Sequence, residues 1–337
     1  MTLSSSPPTT ILNCKHDVVP PPHPSIPPTP SLGMTSPAFL SLNLLISTLF
    51  STKSSSAIAA LRISMILFPL SSRIMLLVMF TRGHLRKFPD VFIFPEDDSQ
   101  AIHFGDHVRL HPALTTPEDR TYAVGDVIEC LGEEMIPGIR NELYPVMSSF
   151  GTQAFFSLER AAAPYFGIKA YGVHMNGFVE KDGQKYLWIG KRDESKSTYP
   201  GMLDHLVAGG LPYGISCGDN IVKECEEEAG IVKSIASQAI PVGVVSYMDI
   251  DAYRYKRDVL FCYDLKLPES FVPKNQDGEV GSFRLIPVQL VANVIQKTEF
   301  FKPNCNLVII DFLFRHGYLK PEDSGYLELL HSLRKVA

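Results

Sequence analysis

One stretch, residues 209 to 231, constrains the fold more than any other part of the chain, and it reads GGLPYGISCGDNIVKECEEEAGI. Two adjacent glycines open a loop, and further glycines leave its backbone free to adopt conformations that other residues avoid. Ser216 or Asp219 is expected to cap the start of a helix, and Gly230 to end it. The stretch therefore predicts a glycine-rich loop that leads directly into a helix.

Three glutamates of this helix share one face. Glu224, Glu227 and Glu228 follow the spacing i, i+3 and i+4, so their carboxylates lie within a turn of each other. Clustered carboxylates repel and raise one another's pKa unless a cation lies between them. Their hard oxygen atoms suit Mg²⁺ or Mn²⁺, which also bind phosphates. A solvated acidic face is the alternative from spacing alone, and the glycine loop ahead of the helix favours a site.

The same helix resembles part of a known sequence motif. Residues 223 to 231, KECEEEAGI, are similar to the second half of the Nudix box, with Lys223 in place of its arginine and Gly209 at its opening glycine. The box has a glutamate where this chain has Ile215. The resemblance implies an α/β (α+β) protein, in which a small α+β accessory domain precedes a Nudix α/β/α sandwich with a mixed sheet.

The resemblance also implies the chemistry, which is metal-dependent hydrolysis of a diphosphate linked to an organic moiety. The resemblance implies that Glu224, Glu227 and Glu228 bind Mg²⁺ (or Mn²⁺). It also implies that Glu227 and Glu228 are catalytic, because they hold the ion that takes part in the reaction. Glu279, on a later loop, is the candidate general base. A carboxylate at a loop turn is the alternative interpretation of Glu279.

Basic and backbone groups are expected around these carboxylates. Lys223, one turn away, is expected to hold them by charge, and the backbone carbonyl of Ala208 or Gly209 is a further candidate ligand. Lys191 and Arg192 precede the box across one loop and are candidates to bind phosphate oxygens as charged donors. Lys196 is as compatible with a solvated loop.

Four aromatic side chains ahead of the box are candidates to stack on a flat heterocycle. At strand spacing such side chains belong more often to the core, and we expect core positions for Tyr165, Phe166, Tyr171 and Trp188.

The expected substrate rests on the resemblance alone. The accessory domain is similar to the one that precedes the Nudix half of fungal thiamine pyrophosphokinases, and to that of plant chloroplast-type Nudix enzymes. This implies thiamine diphosphate or its oxidised forms, cleaved to the monophosphate. A pyrophosphatase for ADP-ribose or NADH is one alternative. A degenerate module that binds a ligand without cleaving it is another, and Ile215 motivates it.

The chain begins with two unusual stretches. Residues 1–37 are rich in Pro, Ser and Thr, which predicts a disordered tail or a transit peptide and hence a chloroplast location, or otherwise a cytoplasmic one. In residues 38–83 the apolar runs are broken by charges and fall short of the ~18 residues of a membrane span. Our hypothesis is that this stretch is translated in a shifted reading frame. A one-base shift across residues 68–83 permits a sequence in which apolar and polar residues alternate as they do in strands.

The remaining chain reads as ordinary globular protein, with an accessory domain over 84–165 and a hydrolase domain over 166–337. The formal net charge of −5 argues against a basic nucleic-acid-binding surface, and no membrane partner is expected. The expected partner is a small-molecule diphosphate.

Local patterns predict the main elements. A helix is expected from 117 to about 131, capped by Thr116, and short helices over 142–147 and 156–165. Two strands, 169–179 and 185–189, are expected to form a hairpin. The segment YRYKRD is expected to connect two later strands.

Overall fold

The structure is a computed structural model of the 337-residue chain, and it describes residues 75–77, 82–94, 107–196, 198–251 and 254–334. The expected tail over 1–37 lies outside these residues, as does most of the 38–83 stretch to which the shifted-frame hypothesis applies. None of the described helices combines the length and the apolar character that crossing a membrane requires.

The N-terminal segment, defined here as the described residues from 75 to 168, contains two small sheets and one long helix. Strands β1 and β2 both pair antiparallel with β3, and β4 pairs antiparallel with β5. Its buried core runs from Leu85 to Ile168 among the described residues. The elements in order are β1 Met75–Leu77, α1 Arg82–Leu85, β2 Phe92–Ile93, β3 His107–Leu110, α2 Pro117–Met135, β4 Leu143–Val146, β5 Phe156–Glu159 and a 3₁₀ helix Arg160–Tyr165.

Helix α2 begins as its sequence predicts. The Thr116 hydroxyl accepts from the Asp119 N–H at 3.1 Å, and the Asp119 carboxylate accepts from the Thr116 N–H at 3.1 Å. This reciprocal cap satisfies two amides that the helix itself leaves unpaired. The helix continues past the expected end to Met135, with a kink at Gly132, whose φ is 66°.

One expected helix in this segment is wrong, and a second is correct only in its last part. Residues 142–147 contain strand β4, and residues 156–165 begin with strand β5 before the 3₁₀ helix. The two strands pair from Leu143 opposite Glu159 to Val146 opposite Phe156, and most of their side chains are buried. Pro145 is tolerated because no further strand of the sheet pairs with the other edge of β4 in the described residues.

The C-terminal segment is built on a mixed sheet with the strand order β10–β11–β6–β7–β12. Strand β6 pairs parallel with β11 and antiparallel with β7, while β9 pairs with β6 and β8 with β7. The elements in order are β6 Lys169–Lys181, β7 Gln184–Arg192, β8 Leu203–Asp204, β9 Val207–Gly210, α3 Cys217–Ala229, α4 Lys233–Ala236, β10 Ile240–Asp251, β11 Arg254–Lys266, β12 Val280–Pro287, α5 Val288–Lys297, α6 Pro303–Arg315 and α7 Tyr326–Ser332.

Helices cover both faces of this sheet. One core joins α3 and α4 to side chains such as Val173 and Met175 of β6, and a second joins α5, α6 and α7 to side chains such as Phe178. Successive residues of a strand point to opposite faces, so β6 supplies both cores. The expected α/β/α sandwich with a mixed sheet is confirmed.

Candidate active site

Helix α3 holds the three glutamates in a fixed orientation. Ser216 caps it, its hydroxyl accepting from the Asp219 N–H at 3.0 Å, and Gly230 ends it in a left-handed conformation with φ at 62°. Both features follow the sequence prediction. One side of the helix is buried against β9 and β6 through Asn220, Ile221, Cys225 and Ala229.

Glu228 reaches from this buried side to strand β9. Its Oε2 accepts from the backbone N–H of Ala208 at 2.8 Å. Burial raises the pKa of Glu228 well above its usual range, although the Ala208 N–H opposes this shift. A nearby cation would therefore favour the ionised form.

Glu224 lies against Gly209, the next residue of β9. A Cβ built on Gly209 would lie 2.5 Å from Cγ of Glu224 and would overlap its carboxylate, so only glycine leaves room for this side chain. Burial raises the pKa of Glu224, while the charge of Lys223 opposes the rise. The Glu224 side chain keeps 15% of its surface exposed.

Lys223 lies between two carboxylates of the helix. Its ammonium donates to Glu227 at 2.6 Å and is 3.5 Å from Glu224. Glu227 is about half exposed, and its pairing with Lys223 spans one helical turn. Lys223 therefore fixes the two carboxylates relative to each other.

This donor set fits a divalent cation. Carboxylate oxygens are hard ligands of the kind that Mg²⁺ and Mn²⁺ prefer. Glu224 and Glu228 are partly buried, and burial raises the pKa of both, so an added positive charge would stabilise them as carboxylates. Ala208 and Gly209 of β9 line the same cavity as these carboxylates. Glu224, Glu227 and Glu228 could thus hold the metal that the sequence implies.

A cavity of about 700 Å³ opens in front of these carboxylates. Ile215, where the motif has glutamate, is partly buried in the preceding loop and lies outside the lining. Tyr165 and Tyr171 reach the lining, but all four aromatic residues considered earlier are less than a tenth exposed, as expected for core positions. The residues proposed from the sequence that line the cavity are Arg192, Lys196, Gly209, Lys223, Glu224, Glu227, Glu228 and Glu279.

Lys191 lies outside this lining. Its ammonium pairs with Glu194 at 2.9 Å and is about half exposed, because adjacent residues of β7 point to opposite faces and Lys191 points away from the cavity. Arg192 faces the cavity, but its guanidinium bonds within the protein, to Asp204 at 3.0 Å and to the Thr198 carbonyl at 3.1 and 2.9 Å. Lys191 is therefore directed away from the cavity, and Arg192 already uses Nε, Nη1 and Nη2 within the protein, so neither fits the phosphate-binding role expected from the sequence.

Glu279 stands at the cavity wall beside Lys196, whose ammonium is 2.8 Å from its carboxylate. Burial would raise the pKa of Glu279, but the hydrogen bond and charge of Lys196 outweigh this and lower it. Glu279 is therefore ionised at neutral pH and able to accept a proton.

A buried polar cluster lies behind the cavity and was not anticipated from the sequence. Asp204 accepts from Lys302 at 3.1 Å and from the Cys305 thiol at 2.7 Å. His174 and His205 meet edge to face with ring centroids 5.1 Å apart. Burial lowers the pKa of His205 to about 4 and that of His174 well below its usual range, so both rings are neutral.

This cluster also brings possible metal-ligand atoms together, but its charges are already matched. Ligand atoms of Asp204, His205 and Cys305 lie within 4.8 Å of one another. The cations Lys302 and Arg192, however, both bond the same carboxylate oxygen of Asp204. A further cation would be repelled by these two, so we assign the cluster a structural role.

Two other groups in the cavity wall were also missed. Tyr144 and Arg160 come from the N-terminal segment, and no local pattern marks them. The segment YRYKRD, expected to connect two strands, lies largely in β11 and contributes charged side chains to the opposite wall. The mixture of charged residues and tyrosines in this segment was the sequence signal that could have indicated a ligand-binding wall.

Comparison with known proteins connects this geometry to a family. The family described as "Domain of unknown function (DUF4743)" matches residues 77–170. Nudix hydrolase 20, chloroplastic, from Arabidopsis thaliana is 70% identical over 252 residues, covering 74% of this chain and 67% of the relative. Nudix hydrolase 24, chloroplastic, from the same plant is 65% identical over 256 residues, covering 76% of this chain and 68% of the relative.

A solved structure also aligns with part of the chain. The NUDIX domain of NrtR from Shewanella oneidensis, solved with ADP ribose, is 17% identical with a TM-score of 0.35, and the alignment covers 44% of this chain and 88% of that one. The family and the compartment follow instead from the two plant relatives, whose names place both in the chloroplast. The chain is accordingly assigned to the chloroplast, and it belongs to the Nudix hydrolase family, whose members hydrolyse diphosphate bonds.

Proposed function

We propose that this hydrolase removes the terminal phosphate of thiamine diphosphate, or of its oxidised forms, in a reaction that depends on a divalent metal. The observation that carries the metal-dependent part is the set of three glutamates on one helix facing a cavity of about 700 Å³. The thiamine part rests on the similarity of the accessory domain to that of fungal thiamine pyrophosphokinases.

The glutamates and their neighbours have distinct roles in this proposal. Glu224, Glu227 and Glu228 hold Mg²⁺ or Mn²⁺, which when bound neutralises phosphate charge and polarises the attacking water. Lys223 holds the carboxylates of Glu224 and Glu227 in position through its two ion pairs. Glu279, kept ionised by Lys196, accepts the proton of the attacking water.

The far wall of the cavity carries charges of both signs and includes groups that can contact a positively charged heterocycle. Asp249 and Asp258 line it beside Tyr247, whose hydroxyl donates to Asp258. Carboxylates and an aromatic ring are the groups that bind a cationic aromatic ligand such as a thiazolium. The same wall also offers donors to phosphate, since it is lined by Arg254, Lys256 and Arg257. The choice of thiamine diphosphate therefore rests on the accessory-domain similarity.

The test is phosphate release from thiamine diphosphate and oxothiamine diphosphate with Mg²⁺, with ADP-ribose and NADH assayed in parallel. We expect turnover of the thiamine compounds, and its loss in Glu227→Gln. Glu226→Gln is the matched control, because Glu226 is exposed on the same helix and lies outside the cavity lining.

The outcomes separate the alternatives. Turnover of ADP-ribose or NADH alone would support the proposed active site and would show that the proposed substrate is wrong. Absence of turnover across the panel by folded protein would favour the degenerate binding module, and Ile215→Glu would then test whether the missing glutamate is responsible.

We also propose the domain division 84–165 and 166–337, with residues 1–37 as a tail or transit peptide. The N-terminal segment has a core of its own, which supports two domains; because this core includes Phe166 and Ile168, it favours a boundary a few residues later than 165. If the division is correct, residues 84–168 and 169–337 expressed separately should each unfold in a cooperative transition, and a piece without such a transition would contradict it.

A further inference from the structure

We infer that Arg160, a residue of the N-terminal segment, binds the diphosphate of the substrate. This inference rests on the proposed function, because it requires a diphosphate in the cavity beside helix α3. It adds that the N-terminal segment completes the active site by supplying a phosphate ligand.

The first support is the position of the guanidinium. Arg160 lines the cavity, and a Cβ built on Gly210 would lie 2.9 Å from its Cζ and Nη1. The adjacent residue, Gly209, is the one against which Glu224 lies. A phosphate lying over this Gly–Gly backbone is therefore within reach of both the carboxylate helix and Arg160.

The second support is that the guanidinium is fixed in place. Its Nη1 donates to Glu142 at 2.8 Å, and its Cζ lies 5.4 Å from the ring centroid of Tyr144. The Tyr213 N–H donates to the Leu143 carbonyl at 3.1 Å, which ties β4 to the loop before α3. A donor held in this way loses little conformational entropy on binding a ligand.

The third support is the set of unused donors. The Nε and Nη2 atoms of Arg160 donate to no residue in the part of the chain that the structure describes, and a third of its side chain is exposed. The corresponding atoms of Arg192 both bond the Thr198 carbonyl. Two parallel N–H groups on one edge of a guanidinium match two phosphate oxygens, so Arg160 is better suited to this role than Arg192.

The experiment measures the affinity for methylenediphosphonate, a diphosphate analogue that cannot be hydrolysed, by calorimetry with Mn²⁺ present. Arg160→Gln is expected to bind it about 10- to 100-fold more weakly, the range for losing charge-assisted hydrogen bonds. Arg160→Lys should recover part of the loss, because it restores the charge without the planar fork. Arg284→Gln is the matched control, since Arg284 is exposed on β12 and lies outside the cavity lining.

Two further readouts separate a ligand from a structural residue. If Arg160 binds the diphosphate, Arg160→Gln remains folded, with a melting temperature lowered by the lost pair with Glu142, and it keeps the wild-type Mn²⁺ affinity while the affinity for the analogue falls. Equal affinity of Arg160→Gln and Arg284→Gln for the analogue, or a parallel loss of Mn²⁺ binding, would overturn the inference. If Arg160→Gln fails to fold, wild-type affinity in Arg160→Lys would overturn it instead.

The binding measurement does not depend on turnover, so it distinguishes the two proposals. A wild-type protein that releases no phosphate but binds the analogue through Arg160 refutes the proposed function and keeps the phosphate ligand. If instead the wild-type protein hydrolyses thiamine diphosphate and Arg160→Gln binds the analogue as tightly as wild type, the proposed function stands and the phosphate ligand is refuted.

Discussion

Replacing Gly209 by alanine should disable the site without unfolding the protein. The added Cβ would lie 2.5 Å from Cγ of Glu224 and closer to its carboxylate, whereas ordinary contacts begin near 3.4 Å. Glu224 must therefore move by about 1 Å. The backbone of Gly209 lies outside the left-handed region, so alanine adds no backbone strain there.

The magnitude follows from this displacement. Misplacing a group in an active site by about 1 Å can reduce the rate ~100-fold, and we expect a loss of that order in kcat/KM for phosphate release. The free energy of unfolding should fall by less than about 1 kcal/mol, because the group that moves is the end of a flexible side chain. Mn²⁺ affinity, measured by calorimetry, should weaken in parallel with the rate.

Gly218→Ala is the matched control. A Cβ at Gly218 would meet only the Ser216 hydroxyl, at 4.0 Å, and the residue lies in the first turn of α3. Activity should be unchanged, and stability should rise by up to about 1 kcal/mol because alanine favours the helix. Wild-type kcat/KM in Gly209→Ala would refute the reasoning, and so would a collapse of its melting temperature.

Three further predictions concern the metal, the buried histidines and the cap of α2. Chelation with EDTA should abolish phosphate release and Mg²⁺ or Mn²⁺ should restore it; turnover that persists in EDTA would contradict the metal assignment. Burial lowers the pKa of His205 to about 4, compared with 6.5 in the unfolded chain. The stability associated with the neutral buried ring is therefore complete above pH 6.5 and is lost as the pH falls through 4, because the unfolded chain binds the proton first. The loss is up to about 3 kcal/mol. The melting temperature should thus fall more steeply over that window in wild type and in the exposed control His331→Asn than in His205→Asn; equal slopes would argue against a neutral buried ring. Thr116→Ala should cost about 1 kcal/mol in denaturant unfolding by removing a helix cap, and an unchanged midpoint would show that the cap adds nothing.

The parts of the site that depend on local pattern could be predicted from the sequence. Ser216 and Gly230 bound α3 as expected, since capping and left-handed ends are decided by a few neighbouring residues. The spacing of the glutamates likewise fixes their common face. The strand at 143–146 could not be predicted in this way, because it depends on pairing with a strand that follows a separate loop.

The parts that depend on long-range packing were missed. Arg160 and Tyr144 enter the cavity only because the N-terminal segment docks on the loop before α3. Lys191 was proposed as a phosphate ligand from its proximity to the motif, but the alternation of β7 turns it away from the cavity. Proximity in sequence indicates the right loop without indicating which face of a strand a side chain occupies.

The parallel pairing of β6 with β11 has a consequence for synthesis on the ribosome. Asn176 of β6 lies opposite Asp264 of β11, so the central pair of the sheet joins residues 88 positions apart. Such distant pairing forms slowly, because a long loop must close before any contact stabilises it. The core of the N-terminal segment ends at Ile168 and can therefore assemble while β11 is still being translated. Until β11 has been translated, the hairpin of β6 and β7 exposes apolar residues on both faces. A nascent chain whose translation stalls before Lys266 is therefore a target for chaperones and proteases.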